Sequence, residues 1–281
     1  MNKILTIIIT LFTLSVLAQN NLTKLAQPIV AEGKLLYKSE MASWYGTDLF
    51  LEKHKDRQNI GGYFSYSEKE FSKCIFFSKS DHPKVIGTIS FDETYNVKAA
   101  KIDLSEREFT QYEKEIYQIR KLALAEIISD TALFKQYKNS NLNLIPLIEG
   151  KEKKVFVLTG TTQTGVVLFG NDYLLMFDKN NKLTQKKQLH KNLIPINYGG
   201  KDKDGKPTVS EEVMHSHLAE TGDFITATDI CTSMLYGKFA KWKTHNVVSS
   251  KYLNIWNCET NELSVVSLNA IKKIQKELDK K

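Results

Sequence analysis

Cysteine is scarce in this chain. Among 281 residues only Cys74, Cys231 and Cys258 occur, and no CxxC pair or cysteine-rich zinc spacing is formed, so a thiolate metal cluster is excluded. At most one disulfide can close within the chain. The three read first as small buried residues, with a Cys231–Cys258 bridge as the second alternative. No GxSxG elbow is present, which removes the usual frame of a serine hydrolase. The glycines Gly160, Gly165 and Gly170 fall between apolar segments without a GxGxxG or GKS/T arrangement, so they read as turns between antiparallel strands and not as a phosphate loop. Basic residues are scattered singly and form no stripe with interleaved aromatics, which argues against a nucleic-acid groove.

Long apolar runs are also lacking after the first eighteen residues. Those residues carry a lone Lys3, an apolar run from Ile4 to Leu17, and Val16-Leu17-Ala18 before Gln19. The run is shorter than the roughly 20 residues of a spanning helix, and its flanks are those of a secretory signal peptide over 1–18. The sequence therefore predicts an exported protein, periplasmic or secreted, with no transmembrane segment after signal removal. The remaining chain is long enough for a sizeable core in one large or two modest domains. Lys and Arg number 39 against 32 Asp and Glu, a net charge of +7. That excess is compatible with an acidic surface or polymer as partner.

From the N-terminus, 19–104 reads as a β-rich module. Short apolar or aromatic segments at Lys34–Tyr37, Gly62–Tyr66, Cys74–Phe77, Val85–Phe91 and Val97–Ile102 alternate with polar turns. Trp44, Tyr45, Tyr63, Phe64 and Tyr66 read as core aromatics. Ser105 to Glu108 forms a capping box, predicting a helix that starts there and shows Phe109, Tyr112, Ile116, Ile119 and Ala123 on one face. This helical connection is assigned 105–143. A second domain over 144–269 opens with strands at Val155–Gly160, Val166–Phe169, Tyr173–Phe177 and Leu183–Ile196, with Asn180-Asn181 as a hairpin turn. A glycine- and lysine-rich loop follows over Gly199–Pro207. The tail, 270–281, reads as a basic amphipathic helix that packs Ile271, Ile274 and Leu278 on the domain's own surface.

The residues with the most chemical content lie between Met214 and Asp229. Side chains two apart on a strand point the same way, so His215 and His217 can share one divalent ion. A turn containing Gly222 and a helix start follow, and Asp229 in the first helical turn can return a carboxylate. The alternative is two hydrogen-bonded histidines, with Asp229 an acid favoured by the helix dipole. His190 and His245 read as ordinary polar residues, His190 also as a candidate outer partner of the site.

The order strand, HxH, turn, hydroxyl residue, Asp, helix and two strands resembles the JAMM (MPN-plus) metalloprotease family, whose signature is HxH, seven residues, Ser, two residues, Asp. His215, His217 and Asp229 match, Thr226 stands for the serine, and eight residues separate His217 from Thr226. The resemblance covers roughly Lys154 to Leu268. It implies a mixed sheet flanked by helices, which together with the N-terminal β-rich module read above makes an α+β or α/β fold. It further implies a zinc ion on His215, His217 and Asp229, and an activated water that hydrolyses peptide or isopeptide bonds. Thr226 would steady the tetrahedral intermediate. Glu149 and Glu152 are alternatives for the general base. The competing reading is a secreted, non-catalytic binding or structural protein on the same scaffold.

Overall fold

The computed structural model describes residues 21–200, 204 and 209–279. The signal peptide expected over 1–18 lies outside the described residues, as does most of the loop expected over Gly199–Pro207. Among the described residues, no helix is long and apolar enough to cross a membrane. Helices and several sheets coexist, an α+β composition. The chain divides into two compact units, one of Leu35–Leu193 and one joining the N-terminal stretch through Lys34 to Ile194–Lys281. The boundary expected at 143/144 therefore lies inside the first of these units.

That division falls within the long helix α1 (Gln27–Lys53), where the sequence suggested a strand at Lys34–Tyr37. The residues that α1 buries include Val30, Gly33, Leu36, Ser39, Ala42, Ser43, Gly46 and Phe50, a helical spacing of three and four. Most of that stripe is small or hydroxylic, so apolar periodicity does not announce it. In the Leu35–Leu193 unit, a Cβ on Gly46 would meet Cys74 Cβ at 2.6 Å. Ser39 Oγ donates to Ser65 O at 3.2 Å, and Ser43 Oγ and Ser65 Oγ share a hydrogen bond at 2.8 Å. Trp44, expected in the core, is 42% exposed.

The strands β1 (Ile60–Glu68), β2 (Phe71–Ser78), β3 (Val85–Phe91) and β4 (Lys101–Asp103) form an antiparallel meander. Phe50 stacks on Phe76 with ring centroids 3.9 Å apart, in a core that includes Ala42, Ile86, Ile89 and Phe91. Helix α2 (Gln111–Ser129) begins later than the Ser105 capping box predicts. Ser105 turns back to Asp103, its N–H donating to Oδ1 at 2.9 Å. The helix is capped by Thr110 and Glu113: Glu113 N donates to Thr110 Oγ1 at 3.2 Å and Thr110 N to Glu113 Oε2 at 2.8 Å. Arg107 grips both oxygens of the buried Glu113 carboxylate at 2.7 and 2.8 Å.

Helix α2 is part of the core and not a connection between domains. Ile116 packs with Phe64, Tyr66, Ile75 and Phe77, while Ile119 and Ala123 pack with Val155, Val157, Tyr173 and Leu175. The latter residues belong to a second antiparallel sheet, ordered β5 (Ser140–Glu149), β6 (Glu152–Thr161), β8 (Tyr173–Phe177) and β9 (Leu183–Gln188); β7 (Val166–Gly170) precedes β8 and β10 (Leu193–Asn197) follows β9. The hairpin at Asn180-Asn181 forms as expected, with Asn181 at φ 61° and Asp178 N donating to Lys182 O at 2.9 Å.

The other unit carries β11 (Glu212–Ser216), α3 (Ala227–Ala240), β12 (Thr244–Val248), β13 (Tyr252–Asn257), β14 (Glu262–Ser267) and α4 (Leu268–Leu278). Strands β11 and β12 run parallel through the α3 crossover, and β12, β13 and β14 continue as an antiparallel meander. Val213, Ile225, Ile230, Leu235, Val247, Trp256 and Val265 are buried. The N-terminal stretch of the chain joins this unit: Val265 N donates to Thr23 Oγ1 at 3.2 Å, and a Cβ on Gly33 would meet Ile230 at 2.7 Å. Helix α4 does not pack its stripe as expected, since it buries no residue and leaves Ile271, Ile274 and Leu278 exposed. Its charged residues and three spaced apolar ones supply too narrow a face to compete with solvent. All three cysteines are buried and none is in a disulfide, so the bridge between Cys231 and Cys258 is not made.

Candidate metal centre

Strand β11 alternates as its sequence predicts. Val213 and His215 point inward, Met214 and Ser216 outward, and His217 at the strand's end is again buried. His217 N donates to Val248 O at 2.8 Å, extending the ladder by one bond beyond the strand. The connection to α3 bends at Gly222, with φ 106°, in the region that favours glycine. It is then fastened to β13 and the turn before it: Asn254 Nδ2 donates to Asp223 O at 3.0 Å, and Lys251 Nζ pairs with Asp223 Oδ2 at 2.8 Å. The Lys251 ammonium holds the Asp223 carboxyl below its usual range.

Thr226 is the N-cap of α3 and Asp229 its third residue, in a complete capping box. Thr226 Oγ1 accepts from Asp229 N at 3.1 Å and donates to Asp229 Oδ2 at 2.8 Å, and Thr226 N donates to the same oxygen at 3.0 Å. The Thr228 hydroxyl lies 3.0 Å from Thr226 Oγ1. The carboxylate is thereby oriented from behind at the positive end of a helix. It faces both histidines of β11: His217 Nε2 stands 3.1 Å from Oδ2 and His215 Nε2 3.5 Å from Oδ1. One donor atom from each of the three residues lies within 4.8 Å of the others. An ion with tetrahedral bonds of about 2.0–2.1 Å separates its donors by about 3.3 Å. Each imidazole approaches one carboxylate oxygen at close to that value, and His215, His217 and Asp229 belong to a buried group that can hold a metal ion.

The protons around His215 can be assigned from its neighbours. Ser233 Oγ donates its single hydrogen to Asp229 O, four residues back, at 2.7 Å. Its 2.7 Å contact with His245 Nδ1 must then be accepted from an Nδ1–H. Neutral His245 is left with an accepting Nε2, 2.9 Å from His215 Nδ1, and receives the hydrogen that His215 carries there. Neutral His215 consequently turns a lone pair at Nε2 toward Asp229. Two acceptors so placed repel each other unless a cation or proton stands between them.

No protein family, no curated protein and no solved structure matches this chain. The chemistry therefore rests on its own residues. The structure brings together His215, His217, Asp229 and Thr226 and adds His245 and Ser233, neither of which the sequence reading placed at the site. A signal for His245 exists: in β12 it alternates with Val247 on the buried side, opposite Val213 in the parallel register. A histidine on the inward face of the strand beside an HxH strand shares that face.

Thr226 is present, but its hydroxyl is engaged by Asp229. Glu149 and Glu152 are not brought into the same compact unit. They face each other across the β5–β6 hairpin, whose turn passes through Gly150 at φ 59°. Both are exposed. Lys154 pairs with Glu152 at 2.8 Å and lowers its carboxyl below the usual range. His190 lies in the Leu35–Leu193 unit, where its Nδ1 is 3.4 Å from Asp172 Oδ2.

Proposed function

We propose that this chain is an exported zinc-binding protein, and that its ion serves the hydrolysis of peptide or isopeptide bonds. The observation that carries the reading is the convergence of His215, His217 and Asp229, each with a donor atom within 4.8 Å of the others in a buried group. Two neutral imidazoles and a carboxylate suit zinc, and a site with three such donors is of the catalytic type. Zinc, when bound, would acidify a water and polarise a scissile carbonyl. The protein's own part is orientation: Thr226 aims the Asp229 carboxylate, and β11 aims both imidazoles. This arrangement supports the resemblance to JAMM metalloproteases as a reading of the strand, helix and hairpin around the site.

One observation favours a second reading, zinc held without catalysis. The Thr226 hydroxyl already donates to Asp229, so it has no hydrogen left to steady a tetrahedral intermediate. Metal analysis and activity separate the two. Purified mature protein should contain about one zinc per chain and should cleave peptide or isopeptide-linked substrates in a chelator-sensitive, zinc-restorable manner. Glu149→Gln and Glu152→Gln each test the base. Zinc without turnover under all these conditions establishes the binding reading, and a protein that takes up no divalent metal defeats both.

A further inference from the structure

Three hydrogen bonds and one approach of an imidazole nitrogen to a carboxylate oxygen close a ring around the site. From the Asp229 carbonyl the ring runs to Ser233 Oγ at 2.7 Å, to His245 Nδ1 at 2.7 Å, across that imidazole to His215 Nδ1 at 2.9 Å, and across the second imidazole from Nε2 to Asp229 Oδ1 at 3.5 Å. One residue, Asp229, therefore anchors both ends, its main chain holding the relay and its side chain facing the product of that relay. Ser233 is 1% exposed and His245 fully buried, so water does not compete for these bonds. We propose that Ser233 and His245 are positioning residues that lock His215 in the tautomer with its proton on Nδ1, so that Nε2 is a ready metal donor.

The inference rests on the metal reading of the site but makes its own demand. Imidazole has two neutral tautomers, and only one leaves Nε2 free of hydrogen. Ordinarily a backbone carbonyl or carboxylate makes that choice for a ligand histidine. Here a second histidine makes it, and a second histidine is itself ambiguous until something fixes it. Ser233 supplies the missing constraint, because its hydrogen is already given to Asp229 O and it can only accept from His245. The direction of every proton in the ring follows from that one serine. The ring also ties α3, β12 and β11 together, so the donor atoms are set before an ion arrives.

The decisive measurements use the full mature chain. Nitrogen-15 NMR of histidine-labelled, metal-free protein should find His215 protonated at Nδ1 and bare at Nε2; the opposite tautomer overturns the proposal, whether or not the protein binds metal. Zinc affinity, read by competition with a chromophoric chelator, should fall about 10–100-fold in His245→Phe, which keeps a ring but offers no acceptor. His245→Gln sets an amide oxygen near the Nε2 position and should recover most of the loss. Ser233→Ala should fall between them, since His245 then samples both tautomers. A His245→Phe protein that binds zinc as tightly as wild type, or a His245→Gln protein as weak as His245→Phe, refutes the relay. If His245→Phe does not fold, Ser233→Ala and the tautomer measurement decide. Wild-type protein that takes up no zinc while showing the expected tautomer defeats the metal reading and leaves the relay standing.

Discussion

Thr226 and Asp229 hold each other in both directions: the Thr226 hydroxyl accepts from the Asp229 N–H at 3.1 Å and donates to the Asp229 carboxylate at 2.8 Å. The same pair thus caps α3 and orients a carboxylate of the group that can hold a metal ion. Thr226→Val should remove both effects, costing about 1–2 kcal/mol of stability through the lost cap and weakening zinc binding in parallel. Thr226→Ser keeps the hydroxyl and should behave as wild type. Thermal unfolding and zinc competition on the two variants check this, and a stability loss without any change in zinc affinity would separate the cap from the metal.

The grouping of His215, His217 and Asp229 was legible in the sequence to the extent that local geometry determines it. The two-residue spacing of His215 and His217 puts them on one face wherever β11 is a strand, and Asp229 sits where a capping box places an acid. For His245 only the alternation with Val247 was legible; its place beside His215 depends on the parallel register that sets it opposite Val213, a pairing made across a whole helix. Helix α1 escaped for another reason: its buried stripe runs through Gly33, Ser39, Ala42, Ser43 and Gly46, which carry little hydrophobic signal. The division of the chain depends on contacts such as Thr23 with Val265, separated by most of the sequence. Nothing local encodes those.

Removing a donor should act more strongly than disturbing the relay. His217→Ala leaves the Asp229 carboxylate oriented by Thr226 but deletes one of the imidazoles, so zinc affinity should fall by more than the roughly 10–100-fold expected of an outer partner. Asp229→Asn should match it in metal loss while also weakening the capping box. Zinc titration of both variants, with circular dichroism to verify the fold, gives the comparison. Unchanged zinc content in either variant would place the ion elsewhere.

Acid should loosen the Leu35–Leu193 unit through Glu113. Burial pushes its carboxyl up, but the Arg107 guanidinium and the Thr110 N–H outweigh burial and hold it below the ordinary 4.5. A lowered folded-state value contributes stability above the unfolded value, and that stability is lost as pH falls from about 4.5 through the folded value. Arg107→Gln should cost about 3 kcal/mol near neutrality, because the buried carboxylate loses its partner, and its stability should depend less on pH in that acid window. Denaturant midpoints from pH 3 to pH 7 test both statements.

Glu40 has the opposite sign. It lies on α1 with Asn143 Nδ2 donating to its Oε2 at 3.1 Å, and burial raises its carboxyl from 4.5 to about 7. The unfolded chain gives up this proton near 4.5 and the folded chain near 7, so the group's contribution to stability is fully present below 4.5 and is lost progressively as pH rises between the two values. Glu40→Gln cannot ionise and retains an oxygen for Asn143. The variant should match wild type at pH 4 and become the more stable protein as pH climbs to 7, by at most about 3 kcal/mol at 1.36 kcal/mol per unit. Above pH 7 the gap should stay constant. Chemical denaturation of the two proteins at pH 4, 5.5, 7 and 8.5 measures it, and a gap that does not change with pH would mean that Glu40 ionises in the folded protein as it does in the unfolded chain.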